Sequence, residues 1–247
     1  MNQFKIIPVI DLLNSRAVHA VKGNRSEYKP LESKYFNTTS PYDIIESLHK
    51  KFGFKDFYIA DLDSIMKKKT NIPLISELLK NLPINIMLDP GITNDLDLKH
   101  YSGLKISQII LGMETIKSLN VIENAINIFG YDKTILSIDM FDGKIISSIK
   151  ELRNLNLIEI MKKVENMGII NYILLDLYRV GQKIGEIPNT YLKIRENYDG
   201  NFFVGGGIKD FKEIVKYKIK KFAGVLIATS LYDGTINLEK IKSLYRP

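Results

Sequence analysis

The chain contains no cysteine, which excludes both a disulfide framework and any thiolate-ligated metal centre. Histidine is scarce: His19, His49 and His100 are the only three, and none stands at metal-ligand spacing, so no metal is expected. No apolar run approaches the roughly 18 residues a membrane span requires. The opening residues Met1 to Ile10 are interrupted by Pro8 too early for a signal sequence. Low-complexity segments and domain linkers are missing as well. What these absences leave is a soluble, cytoplasmic protein.

What is present is a chain of 247 residues, 45% hydrophobic and 26% charged, enough to bury a large core and keep its exterior wet. That length is also typical of a single α/β barrel, at about 250 residues. A net charge of +7 favours anionic partners. The lysines are scattered through helix-like stretches, as at Lys67-Lys68-Lys69, Lys216, Lys218 and Lys220-Lys221. No basic stripe interleaved with aromatics is found, so these are read as solvated outer-helix residues and neither nucleic acid nor membrane is an expected partner. No pattern specifies an oligomer.

Short runs rich in Ile, Val, Leu and Phe recur, each followed by a longer helical pattern. Strands are expected at 5–11, 57–61, 85–89, 108–112, 134–139, 171–176, 201–205 and 224–228. Continuous apolar runs suit strands buried on both faces of a parallel sheet. Helices are expected over 41–51, 73–81, 95–101, 118–129, 155–168, 188–198, 210–220 and 237–245. Pro41, Pro73 and Pro188 fit first helical turns, and Asp210 with Glu213 resembles a capping box. Eight alternations in one chain of this length predict a single-domain (β/α)8 TIM barrel over residues 1–247. An open doubly wound sheet would call for a Gly-x-Gly-x-x-Gly turn after the first strand, which residues 11–23 do not contain. The long connection 12–40, with Arg16, His19, Lys22, Gly23, Arg25, Tyr28 and Lys29, is read as a lid over the catalytic face.

An internal echo supports the ring. Asn201-Phe202-Phe203-Val204-Gly205-Gly206-Gly207-Ile208 repeats the frame of Asn85-Ile86-Met87-Leu88-Asp89-Pro90-Gly91-Ile92 at an offset of 116 residues, and Gly224–Ala228 follows Gln108–Gly112 at the same offset. The chain thus reads as two similar half-barrels, about 1–130 and 131–247. Gly205, Gly206 and Gly207, with Ala228, Thr229 and Ser230, end strands seven and eight, where a barrel can hold a phosphate on exposed backbone N–H groups. Close packing of strand on helix would also select glycine there. In the first half Pro90 has no N–H to donate and Asp89 repels an anion, leaving Gly91, Gly112 and Thr115.

Acidic residues end five strands, Asp11, Asp61, Asp89, Asp139 and Asp176, and are expected to ring the mouth. Asp11 and Asp139, on strands one and five, would face each other and suit acid–base work. The competing reading for Asp61, Asp63 and Asp176 is loop capping.

Pro8-Val9-Ile10-Asp11-Leu12 with Arg16-Ala17-Val18, then Ala60-Asp61-Leu62-Asp63, Ser137-Ile138-Asp139 with Asp142-Gly143-Lys144, and Leu175-Asp176 with Arg179 and Gly181 resemble the histidine-biosynthesis barrel family. The resemblance continues through Gly205-Gly206-Gly207-Ile208 and Ala228-Thr229-Ser230-Leu231-Tyr232-Asp233-Gly234, so it spans the chain. The family holds a ribotide isomerase and the cyclase subunit of imidazole glycerol phosphate synthase; the last motif is nearer the isomerase. The resemblance implies a duplicated barrel in which Asp11 and Asp139 open a phosphorylated aminoaldose and convert it to a ketose without cofactor, with Asp61, Asp176, Arg179, Gly91 and Gly112 in supporting places. A non-catalytic phosphate-ligand-binding barrel is the alternative. Departures from the pattern are Asp89-Pro90-Gly91 in place of three glycines, Leu175 in place of Thr, Arg179-Val180-Gly181 in place of Arg-Asp-Gly, His19 in place of Arg, and a missing Gly-Trp. They point to a smaller, singly phosphorylated substrate.

Overall fold

The computed structural model describes residues 3–20, 24–67 and 69–245. Lys22 and Gly23 of the long connection, and Lys68 of the triple-lysine run, lie outside the described residues. Eight strands run parallel, each beside its successor: β1 (Lys5–Leu13), β2 (Asp56–Asp61), β3 (Asn85–Asp89), β4 (Gln108–Gly112), β5 (Thr134–Phe141), β6 (Asn171–Asp176), β7 (Asn201–Gly205) and β8 (Gly224–Ile227). β8 then pairs with β1 from Lys5↔Gly224 to Pro8↔Ile227, so the sheet closes and leaves no edge in the ring. The chain is a single-domain (β/α)8 barrel.

Two strands outrun their expected ends, for the same reason. β1 continues into a hairpin pairing Asp11↔Val18 and Leu13↔Arg16, and β5 into one pairing Met140↔Ile145. The turn residues Asn14, Ser15, Asp142 and Gly143 all have positive φ, between 50° and 74°. That is the backbone of a two-residue turn matched to strand twist, which Asn, Asp and Gly tolerate best.

Strand alternation divides the interior. One side chain from each strand, from Ile7 on β1 through Met87, Ile110, Ile135 and Ile173 to Leu226 on β8, forms an apolar plug inside the barrel. Two residues further along each strand the same inward direction carries Asp89, Gly112, Leu175, Gly205 and Ala228, the floor of the mouth. Outward positions such as Phe57, Ile59, Leu136 and Leu174 pack into the larger cluster beneath the helices.

Local capping sets the helix starts. Ser40 accepts from the Asp43 N–H at 3.3 Å ahead of Pro41–Phe52. Asp210 caps Phe211–Ile219 through the Glu213 N–H, but Glu213 turns its carboxylate to the Lys209 N–H at 2.7 Å, so the expected box closes on only one side. The reciprocal box lies instead at Asn156 and Glu159. Among the described residues no helix is long and apolar enough to cross a membrane.

Candidate active site

A cavity of about 460 Å³ opens at the C-terminal mouth of the barrel. Asp11 and Asp139 reach it from β1 and β5, which stand opposite in a ring of eight. Asp139 is 6% exposed and accepts a 2.9 Å bond from the Ser137 hydroxyl. Burial pushes its carboxyl well above the ordinary range, with Glu114 and Asp89 adding like-charge repulsion. Burial also lifts Asp11, to about 7, against the opposing field of Arg25 and with that of Asp89. Both carboxyls are therefore shifted toward the protonated form, Asp11 to a midpoint of about 7.

Asp89 is the third carboxylate in the cavity. Its oxygens accept from the Gly91 N–H and from the Tyr58 hydroxyl, each at 3.1 Å, and burial raises it to about 6. At the mirror of the glycine run Pro90 offers no N–H, Asp89 brings a carboxyl group, and the Gly91 N–H is already engaged by it. Gly91 is also fixed by packing, since at φ +68° a Cβ would meet Ile65 Cα at 2.9 Å. A Cβ on Gly112 would lie 3.7 Å from the Asp139 carboxylate, an ordinary contact, so packing alone does not require glycine there.

The expected ring of five carboxylates contracts to three, because Asp61 and Asp176 occupy outward positions on their strands. Asp61 is fully buried and accepts from the Ser64 N–H (3.1 Å), the Asn71 N–H (2.8 Å) and the Asn71 amide (2.7 Å). Asp176 accepts from the N–H groups of Asp142, Gly143 and Tyr178 at 3.0–3.2 Å. Asp63 holds the β1 hairpin turn through the N–H groups of Asn14 and Ser15. These three cap loops, which is the bland alternative read from the sequence.

On the opposite side Gly205, Gly206, Gly207, Ala228, Thr229 and Ser230 line the cavity together. Gly206 (φ +85°) and Gly207 (φ +77°) are left-handed, and a Cβ on Gly206 would fall 2.7 Å from the Asp176 carbonyl oxygen. Packing alone therefore requires glycine there, whatever else the segment does. Thr229 and Ser230 open the short helix Thr229–Tyr232, whose first N–H groups have no acceptor within the helix. Thr229 Oγ1 lies 3.5 Å from His19 Nε2. Arg179 supports this wall from behind. Its guanidinium donates to the carbonyls of Gly185 and Glu186, and the Gly185 N–H donates to the Gly207 carbonyl at 3.1 Å.

The long connection does cover the mouth: Ala20, Asn24, Arg25 and Tyr28 line the cavity, and Arg25 pairs with Glu114 from the loop after β4. Glu114, Tyr58 and Lys183 were not singled out from the sequence. Glu114 lies two residues past its strand, and Tyr58 sits within an apolar run, distinguishable only by its inward parity with Ala60. Lys183 is anchored to Asp233 and, at 2.6 Å, to the Thr235 hydroxyl.

A family model described as histidine biosynthesis protein matches residues 5–237. An uncharacterized protein of Methanocaldococcus jannaschii is 31% identical over 239 residues, covering 96% of this chain and 97% of that one. The enzyme named 1-(5-phosphoribosyl)-5-((5-phosphoribosylamino)methylideneamino) imidazole-4-carboxamide isomerase of Clostridium novyi is 29% identical over 237 residues, covering 95% and 96%. Its namesake from Brachyspira hyodysenteriae is 27% identical over 238 residues, covering 96% and 97%.

Proposed function

Because the chain belongs to the histidine biosynthesis protein family, we propose that it is an isomerase that converts a phosphorylated aldose-type substrate to the ketose by an Amadori-type rearrangement. The observation that carries this reading is the opposed pair Asp11, half-buried, and Asp139, buried, lining one cavity with the glycine wall at its side. The substrate is an aminoaldose: Asp139 donates its proton to the ring oxygen as the ring carbon–oxygen bond breaks, and the lone pair of the amino nitrogen on that carbon closes a C=N bond. Asp11 withdraws the proton from the adjacent carbon, and the resulting enol-type species tautomerises to the ketose. The proton taken and the proton given balance over the cycle, so no redox cofactor is called for. The phosphate rests on the backbone of Gly206, Gly207, Thr229 and Ser230, in the cavity that Lys183 also lines.

The name of the bacterial relatives carries two phosphoribosyl groups. The blocked segment Asp89-Pro90-Gly91 supports a substrate with one phosphate for this chain. The test is complementation of an isomerase-deficient histidine auxotroph beside a screen of singly phosphorylated aldoses for ketose formation. Ketose formation without rescue is the expected outcome. Rescue that is lost with Asp11→Asn would overturn the single-phosphate assignment, and absence of turnover throughout would favour a phosphate-ligand-binding barrel.

A further inference from the structure

We propose that the substrate is a phosphomonoester bearing an ammonium group, with its phosphate at the β7–β8 wall and its cation over Asp89 at the β3–β4 side. This deepens the single-phosphate reading and rests on it. The cavity is polar along one axis. In a ring of eight, β3 and β4 stand opposite β7 and β8, so Asp89 and Glu114 face the glycine wall across the mouth. Among the described residues four acidic side chains line the cavity, Asp11, Asp89, Glu114 and Asp139, against two cations, Arg25 and Lys183. Both cations have partners: Arg25 pairs with Glu114, and Lys183 with Asp233. A protein of net charge +7 has therefore placed an acidic pole inside its own cavity.

The remaining carboxylates are under-compensated. Asp139 is pushed toward its neutral form and bonds Ser137, whereas among the described residues Asp11 has no hydrogen-bond donor and meets only the field of Arg25. Asp89 accepts only two neutral donors, Tyr58 and Gly91. Arg25 lowers Asp11 and Asp89 only in part, since its guanidinium is paired with Glu114, and among the described residues no other cation acts on them, so a ligand cation over Asp89 relieves the remaining desolvation cost. The raised protonation equilibria of Asp11 and Asp89, to about 7 and about 6, are the expected signature of such a place when it holds no cation. An additional anion, such as a second phosphate, meets the opposite field.

The test uses ω-aminoalkyl phosphates of two to six carbons against the matching ω-hydroxyalkyl phosphates, titrated into the intact protein at pH 7.5 by calorimetry. At the best chain length the amine is expected to bind at least about tenfold more tightly. In Asp89→Asn that preference is expected to fall to about twofold or less, with affinity for inorganic phosphate unchanged. Asp89→Ser provides the same comparison should the amide variant fold poorly. Equal or weaker binding of the amine at every length overturns the proposal, as does a preference that survives both substitutions. Failure of inorganic phosphate to bind removes the phosphate reading instead. The amine is then compared with the alcohol using unphosphorylated aminoalcohols and diols, where equal affinity again overturns the cation site.

Discussion

Replacing Asp139 with Asn is expected to lower turnover of the phosphorylated substrate by about 10²–10⁴-fold, the usual worth of a positioned proton-transfer group, while leaving the fold intact. Asparagine keeps the shape and can still bond to Ser137, but it has no proton to give to the ring oxygen. Stability is expected to change little, because burial, with Glu114 and Asp89 nearby, already biases the carboxyl toward its neutral form. Asp11→Asn is expected to cause a loss of similar size by a different route, and pH separates the two. Asp11 acts ionised, so the rate of the wild type rises as pH increases through about 7, where its carboxyl titrates. Asp139 acts protonated, so the falling limb lies at higher pH. Activity measured from pH 5 to 10 checks this assignment. Asp11→Asn should abolish the rising limb in whatever activity remains, and a rate that falls through pH 7 contradicts Asp11 as the base.

Gly206→Ala is expected to destabilise the protein by roughly 2–4 kcal/mol, from a left-handed residue that gains a Cβ and a clash that forces the backbone to move. The figure rests on geometry: φ is +85°, and the Cβ would lie 2.7 Å from the Asp176 carbonyl oxygen, which is backbone and cannot swing aside. In a domain of this size it corresponds to a fall in melting temperature of roughly 4–16 °C. Inorganic phosphate is expected to stabilise the wild type, and displacement of the segment should erase that stabilisation. Thr229→Val separates the two effects, because it removes a hydroxyl at the same wall without entering a left-handed position. A melt of Gly206→Ala that matches the wild type, with phosphate stabilisation retained, contradicts the role given to the glycine run.

The barrel was legible because its signal is periodic. Eight apolar runs separated by helical patterns leave little choice of topology, and the 116-residue echo between Gly91 and Gly207 agrees with closure. The cavity lining was legible at Asp11 and Asp139, whose strands carry them into the mouth. It was less so where strand parity decides. Asp61 and Asp176 end strands just as Asp11 and Asp139 nearly do, yet an odd rather than even step along the strand turns them away from the mouth and into loop caps. Expecting β1 and β5 to stop at residues 11 and 139 hid this, since both continue into hairpins and their aspartates are not terminal. Glu114 and Arg25 meet across 89 residues of chain, a pairing that no local pattern encodes.

The claim that one phosphate site survives and its mirror is closed is tested most directly by crystals soaked in phosphate. The account expects a single ion, bound by the N–H groups of Gly206, Gly207, Thr229 and Ser230, with none beside Gly91 and Gly112. Two ions, one on each half of the barrel, would contradict it.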